Sequence, residues 1–400
     1  MKSEWTYRPL GELVSFASGG TPSKKRDDYW GGTIPWISAK TLKTENIDTS
    51  DLFITEEGLK AGSKIAPKGS ILLLTRGSGL FNGIPIARVE KDVAFNQDIK
   101  CLDSYGEVEN EFIFYWLLSQ KDYLMAKVGV TGIGAGKFDL DFLQKLMIPI
   151  PSERERKSIV GFASSISEKI RCNAKVNDNL EQQAVALFKS WFVDFSLFGG
   201  TVPENWEDTT LENITTLITR GIAPKYSDNS DQTVVNQKCI RNHTIDLSLA
   251  RTHTPKAINE KWLKFGDLLI NSTGDGTLGR VAQVWFTPKA LTVDSHVTIV
   301  RPAREELIFY IGLWGILHEK EIESLHTGST GQTELPRDRV KMLKLLLPND
   351  SSLSRFNSII APMASTIISN QEENQKLASL RDTLLPKLMS GEIDVSAIRL

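Results

Sequence analysis

The chain of 400 residues holds only three cysteines, Cys101, Cys172 and Cys239. Their odd number and wide spacing argue against a disulfide framework or a cysteine-based zinc site, and point to a reduced, cytoplasmic setting. Five histidines (His243, His253, His296, His318, His326) show neither metal-ligand spacing nor a neighbouring nucleophile. No apolar run approaches the roughly 20 residues a bilayer span needs, and the stretch from Met1 to Leu10 lacks the apolar core of a signal peptide. Excess charge is missing too. With 47 basic and 49 acidic residues the net charge is −2, so no global basic field announces a nucleic-acid ligand.

Catalytic motifs are also missing. The chain contains no Pro-Pro dipeptide, which removes the Asn/Asp-Pro-Pro-aromatic motif of an amino-methyltransferase. Gly132 to Lys137 fails the phosphate-loop spacing, because Thr131 stands where the first Gly belongs and Phe138 replaces Ser/Thr. The run Gly77 to Gly83 misses the dinucleotide fingerprint by one residue, and both segments read as tight turns. Asp139 and Asp141 read as a solvated turn rather than an acid pair.

What is present is a long internal repeat. Trp5 to Leu13 recurs as Trp206 to Ile214, and Pro67 to Leu73 with Gly77 and Gly79 recurs as Lys264 to Ile270 with Gly274 and Gly276. Phe114-Tyr115 matches Phe309-Tyr310, and Leu146 to Pro151 matches Leu343 to Pro348. A period near 200 is too long for a solenoid unit and describes a duplicated two-part module. In each copy, short apolar runs broken by turn residues (1–150 and 201–350) precede a long helical stretch (153–195 and 352–390). Residues 71–74, 268–270 and 297–300 read as buried strands, with one amphipathic helix near 110–127 and another near 305–323.

The two long helices carry matching 3-4 seams. Ile159, Ala163, Ile166, Ile170, Asn173, Asn177, Leu180, Ala184, Leu187 and Trp191 correspond, 197 residues on, to a series from Phe356 to Leu388. That second series holds Asn370, Asn374, Leu377 and Arg381. Antiparallel packing sets Asn173 against Asn374 and Asn177 against Asn370, a polar layer that fixes register at some cost in stability. Such a pair would separate two globular parts by tens of ångströms, the scale of one DNA turn.

These features together resemble the specificity (S) subunit of type I restriction–modification systems. The resemblance is carried by Leu10-Gly11-Glu12-Leu13, Ser18-Gly19-Gly20-Thr21-Pro22, Ile34-Pro35-Trp36-Ile37-Ser38 and Arg220 to Tyr226. Ala186 to Phe195 and Leu384 to Ile393 add to it, and the match covers essentially the whole chain. It implies a fold of class α/β (α+β), with two target-recognition domains (1–150 and 201–350) and two spacer helices (151–200 and 351–400). The helices are expected to form an antiparallel coiled coil, and the whole to have internal pseudo-two-fold symmetry. It implies double-stranded DNA as ligand, each domain reading half of a bipartite, asymmetric site. It further implies no catalysis by the chain itself, no cofactor of its own, and two modification subunits that bind S-adenosylmethionine and methylate adenine. The full complex would add two restriction subunits, and no membrane is involved.

Candidate DNA contacts lie in polar loops at corresponding places. In the first module they are Thr21, Lys24, Lys25, Arg26, Trp36, Ser38, Lys40, Arg76, Ser78 and Lys137. In the second they are Arg220, Lys225, Tyr226, Asn236, Gln237, Lys238, Arg241, Asn242, Ser272, Thr273 and Gln332, the last in a Gly-rich loop aligned with Thr131 to Lys137. Asn and Gln suit adenine edges, Arg and Lys suit guanine, and others hold phosphates. The loops themselves differ, as Lys24 to Trp30 against Ser227 to Asp231 shows, which predicts two different half-sites. The regions 1–150 and 201–350 carry −1 and −2, so cations must gather on one face of each. The rival readings are a self-contained nucleic-acid enzyme, against which the missing motifs count, and a pure protein scaffold.

Overall fold

The apolar runs read from the sequence become the central strands of two similar units. A computed structural model describes residues 5–132, 134–274, 276–328 and 333–395. One unit comprises Met1–Arg171 with Asn374–Leu400, the other Cys172–Glu373.

In the first unit a five-stranded sheet runs in the order Val14–Ser18, Ile99–Ser104, Ile71–Leu74, Ile86–Val89, Asn46–Ile47. The pairings are antiparallel except at the short Asn46–Ile47 edge. Ile71 to Leu74 are fully buried, which explains why this strand reads as a continuous apolar run rather than an alternation. The helix Asn110–Ser119 is apolar on nearly all sides, from Phe112 to Leu118, and is buried accordingly. A second sheet of four strands orders Phe53–Ile54, Trp30–Ile37, Val93–Phe95 and Lys64–Ala66.

The second unit repeats the plan. Its four-stranded sheet orders Thr215–Arg220, Val297–Pro302, Leu268–Asn271 and Val281–Gln283, and a three-stranded sheet joins Arg251–Thr252, Thr233–Val235 and Leu291–Val293. The helix Ile308–Leu317 takes the place of Asn110–Ser119. Each expected amphipathic helix is therefore shorter than the sequence suggests, with a second short helix following at Lys121–Met125 and Glu319–Ser324.

Both long helices form, as Glu153–Phe192 and Asp350–Met389. At 40 residues each they are about 60 Å long. The first starts with a capping box: the Glu155 carboxylate accepts from the Ser152 amide at 3.0 Å, and Ser152 Oγ accepts from the Glu155 amide at 3.4 Å. The second starts with Asn349, whose Oδ1 accepts from the Ser352 amide at 2.8 Å. Pro362 and Pro386 lie inside the second helix on its exposed side, where a missing donor and a bulky ring are tolerated best.

The helices pair antiparallel within each unit. In the first, Ile159 and Ala163 share a core with Leu385 and Leu388, and Arg381 Nη1 donates to Ser167 Oγ at 3.1 Å. In the second, Asn370 Nδ2 donates to Asn177 Oδ1 at 2.8 Å, and Asn173 Nδ2 donates to a Glu373 carboxylate oxygen at 2.7 Å. Leu180, Leu377 and Asn374 are half-buried. The seam ends in an aromatic cluster where Phe192 meets Phe356 and Tyr310 at 4.8 and 5.1 Å between centroids.

Candidate nucleic-acid interface

Strand register brings the candidate loops to one end of each sheet. In the first unit Ser18 pairs with Lys100 and Leu74 with Ile99, so the loops after Ser18 and Leu74 and the loop before Ile99 share an end. Ile37 pairs with Phe95, which adds the loop at Ser38–Lys40. In the second unit Arg220 pairs with Thr298, Asn271 with Val297 and Val235 with Val293, which gathers the loops at Gly221, Ser272, Asp294–His296 and Asn236.

The two frames match bond for bond. Gly20 and Ile222 donate their amides to Phe95 O and Val293 O, each at 2.9 Å. Asn96 and Asp294 donate to Ile37 O and Val235 O, each at 2.9 Å. Their side chains accept from the amides of Asp98 (3.2 Å) and His296 (2.9 Å), closing equivalent Asx turns. Burial pushes the Asp294 carboxyl up from its ordinary range. A Cβ on Gly19 would stand 2.0 Å from Phe95 O and one on Gly221 1.9 Å from Val293 O, so only glycine permits this approach.

On the first frame, Arg76 lies directly opposite Lys137 in a small antiparallel ribbon of Gly129–Val130, Gly136–Lys137 and Arg76–Gly77. Both side chains are exposed. Ala39, next to exposed Lys40, is the nearest neighbour of a Cβ on Gly77, at 4.0 Å. Ser78 is exposed, and Thr21 donates to Gln97 Oε1 at 2.7 Å. Ser38 is occupied in its own turn, its amide donating to Thr41 Oγ1 at 2.8 Å. Lys24 and Lys25 are exposed. Arg26 is held by both oxygens of Asp28 at 2.8 and 2.6 Å and lies over Tyr29, so its guanidinium is already partnered. Trp36 departs from expectation: it is buried, its indole donates to Gly20 O at 3.1 Å, and its ring packs edge-on to Trp30. It shapes the frame and offers no face to a ligand.

On the second frame several assignments need correction. Ser272 is fully buried with its hydroxyl on Thr298 Oγ1 at 2.5 Å, so it is structural. Half-buried Asn236 accepts at Oδ1 from the Lys238 amide (2.9 Å) and donates from Nδ2 to Leu249 O (3.2 Å), which ties one donor and one acceptor of its amide to the frame. Arg220 is engaged by Glu334 at 2.8 Å and donates to Leu335 O at 2.9 Å. Thr273 stays at the platform, its hydroxyl 2.6 Å from His296 Nδ1. Gln237 is half-buried, whereas Lys238, Arg241 and Asn242 are exposed; Asn242 and His243 take positive φ in the two-residue turn joining Ile240–Arg241 to Thr244–Ile245. Exposed Lys225 precedes Tyr226, whose ring carries the Arg251 guanidinium at 3.7 Å. Gln332 lies outside the described residues.

Some platform residues escaped sequence reasoning. Phe138 donates to Thr75 O at 2.9 Å and Leu335 to Ser272 O at 2.8 Å, so the structural counterpart of Lys137 is Glu334, not Gln332. Glu334 lines an open groove of about 330 Å³ with Thr219, Arg220, Gly221, Lys261, Arg337 and Asp338. Among the described residues no cluster of three or more His, Cys, Asp or Glu could hold a metal ion, and no helix is long and apolar enough to cross a membrane.

Residues 2–182 match the family model of the type I restriction modification DNA specificity domain. The chain is 27% identical over 427 residues to the type I restriction enzyme MjaIX specificity subunit of Methanocaldococcus jannaschii, covering 99% of this chain and 95% of that protein. It is 31% identical over 161 residues to the EcoR124I/EcoR124II specificity subunit of Escherichia coli, 40% of each chain. In fold it is similar to the crystal structure of a type I restriction–modification S subunit from M. genitalium, with a TM-score of 0.54, 17% identity and 96% coverage of both chains.

Proposed function

We propose that the chain, similar over nearly its whole length to a type I restriction enzyme specificity subunit and over residues 2–182 to the DNA specificity domain of that family, reads one half of a bipartite DNA site at each of its two sheet-end platforms. The observation that carries this is the frame built twice, with the same backbone bonds and different polar side chains at its exposed end. A shared scaffold with unlike loops suits two dissimilar half-sites. In this reading residues 1–150 and 201–350 are the recognition regions, and 151–200 with 351–400 form the spacer that sets the gap between half-sites. Exposed Lys and Arg side chains around each platform meet phosphates and base edges in the major groove.

The chain itself positions DNA and does no chemistry. Two modification subunits clamp the spacer and module flanks, bind S-adenosylmethionine and supply the methyl transfer. Two restriction subunits complete the full assembly in the cytoplasm. The near-neutral charge of each recognition region fits a reader whose partners supply part of the backbone grip.

The test is the spacing rule. Deleting seven residues from each spacer helix removes about 10 Å, or about three base pairs of gap. Methylome sequencing of a host carrying the shortened chain should report the same half-sites with a shorter gap. An unchanged gap refutes the spacer role, and salt-independent or absent DNA binding by the assembled complex refutes the DNA reading itself.

A further inference from the structure

The cross-strand pair Arg76–Lys137 is physically anomalous. Residues directly opposite in an antiparallel ribbon have Cβ atoms about 5 Å apart, and like charges there are destabilising. Among the described residues neither side chain has an ion-pair partner, and both are exposed. The acid nearest along the sheet end, Asp98, accepts at one carboxylate oxygen from Asn96 Nδ2 at 3.2 Å, while its backbone carbonyl accepts from the Arg76 backbone amide at 3.2 Å. Gly136 cannot be replaced cheaply, since a Cβ there would press on Leu80 at 2.9 Å and Val128 at 3.0 Å. The ribbon is therefore held against the sheet end with its two cations side by side.

Among the described residues the sister frame has no such pair. There Thr273 faces Glu334, and Glu334 is neutralised by Arg220 at 2.8 Å. Two positions that are both cationic in one module are neutral and acidic in the other, on equivalent backbone.

We infer that Arg76 and Lys137 form a phosphodiester clamp that the first platform has and the second lacks. This rests on the DNA-recognition reading above and adds a division of labour to it. A phosphate between the two cations converts their repulsion into two charge-assisted contacts. The first platform then supplies sequence-independent, salt-sensitive grip, while the second contributes little of it from the matching place.

The experiment is a salt titration of DNA binding by the chain assembled with its modification subunits, using a duplex with the recognition site and a random duplex. R76Q/K137Q should make the slope of log K against log salt shallower by about one, the loss of one neutralised phosphate, with the ratio of specific to random affinity retained. The control K68Q/K91Q removes the same charge from the opposite end of the same sheet and should leave the slope close to wild type. Equal slopes in wild type and R76Q/K137Q overturn the clamp, as does an equal change in both variants. R76Q/K137Q should also melt no lower than wild type, and a lower melting temperature would make the pair structural instead. If the wild-type complex shows no salt-dependent binding, the underlying DNA reading has failed rather than the clamp.

Discussion

Replacing Arg381 with alanine probes how the first unit's sheets are fixed to its long helices. Arg381 occupies a seam position of the second long helix whose counterpart in the repeat is Ala184, and it packs against Ser167 of the first helix. Its side chain is 7% exposed and grips both oxygens of Glu45, at 2.6 and 3.0 Å. Burial works against the charged guanidinium, but the Glu45 carboxylate more than compensates and raises its pKa. Breaking a buried pair by removing one partner costs roughly 3–5 kcal/mol. Here the remaining acid is 27% exposed and keeps Lys121 at 3.4 Å, so R381A should cost about 2 kcal/mol. In a unit of this size that lowers the melting temperature by about 4–8 °C. E45Q should cost more, about 3 kcal/mol, because the arginine it strands is the more deeply buried member. The double variant E45Q/R381L should fall well short of the sum. Calorimetry of the full chain gives all three, and the calorimetric transition of the first unit should be the one that moves. If R381A melts within 1 °C of wild type, the pair is a surface contact and the reasoning is refuted.

Other outcomes follow from the same geometry. Changing Asn173, Asn177, Asn370 and Asn374 to Leu together should raise the melting temperature and loosen helix register, and a less stable protein would sink the idea of a costly polar layer. Gly221→Ala forces a Cβ to 1.9 Å from Val293 O and should destabilise the second unit by more than about 3 kcal/mol, seen as loss of its unfolding transition. Asp294 holds its proton more tightly folded than unfolded, so its effect is most favourable below the ordinary carboxylate range and weakens as pH rises through it. Asp294→Asn, the residue the sister frame has as Asn96, should therefore flatten the dependence of stability on pH above the ordinary carboxylate range and raise stability at neutral pH, as denaturant melts at several pH values will read. Thiol labelling should find one reactive cysteine in the native chain, Cys172; Cys101 and Cys239 are buried, the latter with its thiol pushed up to about 11, and should react only after unfolding.

The sequence by itself determined the duplication, the two long helices and the buried strands. Each rests on short-range chemistry that repeats along the chain. The 3-4 seam marks the helices, Ser152 with Glu155 and Asn349 start them, and continuous apolar runs such as Ile71 to Leu74 and Leu268 to Ile270 mark central strands. Even the pairing of Asn177 with Asn370 follows once antiparallel packing sets the register.

What only tertiary structure decided was which polar residues face outward together. Trp36 and Ser272 are loop-like and aromatic or polar in sequence, yet burial and hydrogen bonds consume them. Arg76 and Lys137 are 61 positions apart, and no local pattern places them on opposite strands of one ribbon. Sequence alignment set Lys137 against Gln332, whereas the bonds from Phe138 to Thr75 and from Leu335 to Ser272 set it against Glu334. The physical reason is that strand register across a sheet is fixed by long-range backbone bonds, and the Gly-rich loops between strands vary in length without disturbing them. The scaffold was written locally, and the shared polar surface exists only where its strands end.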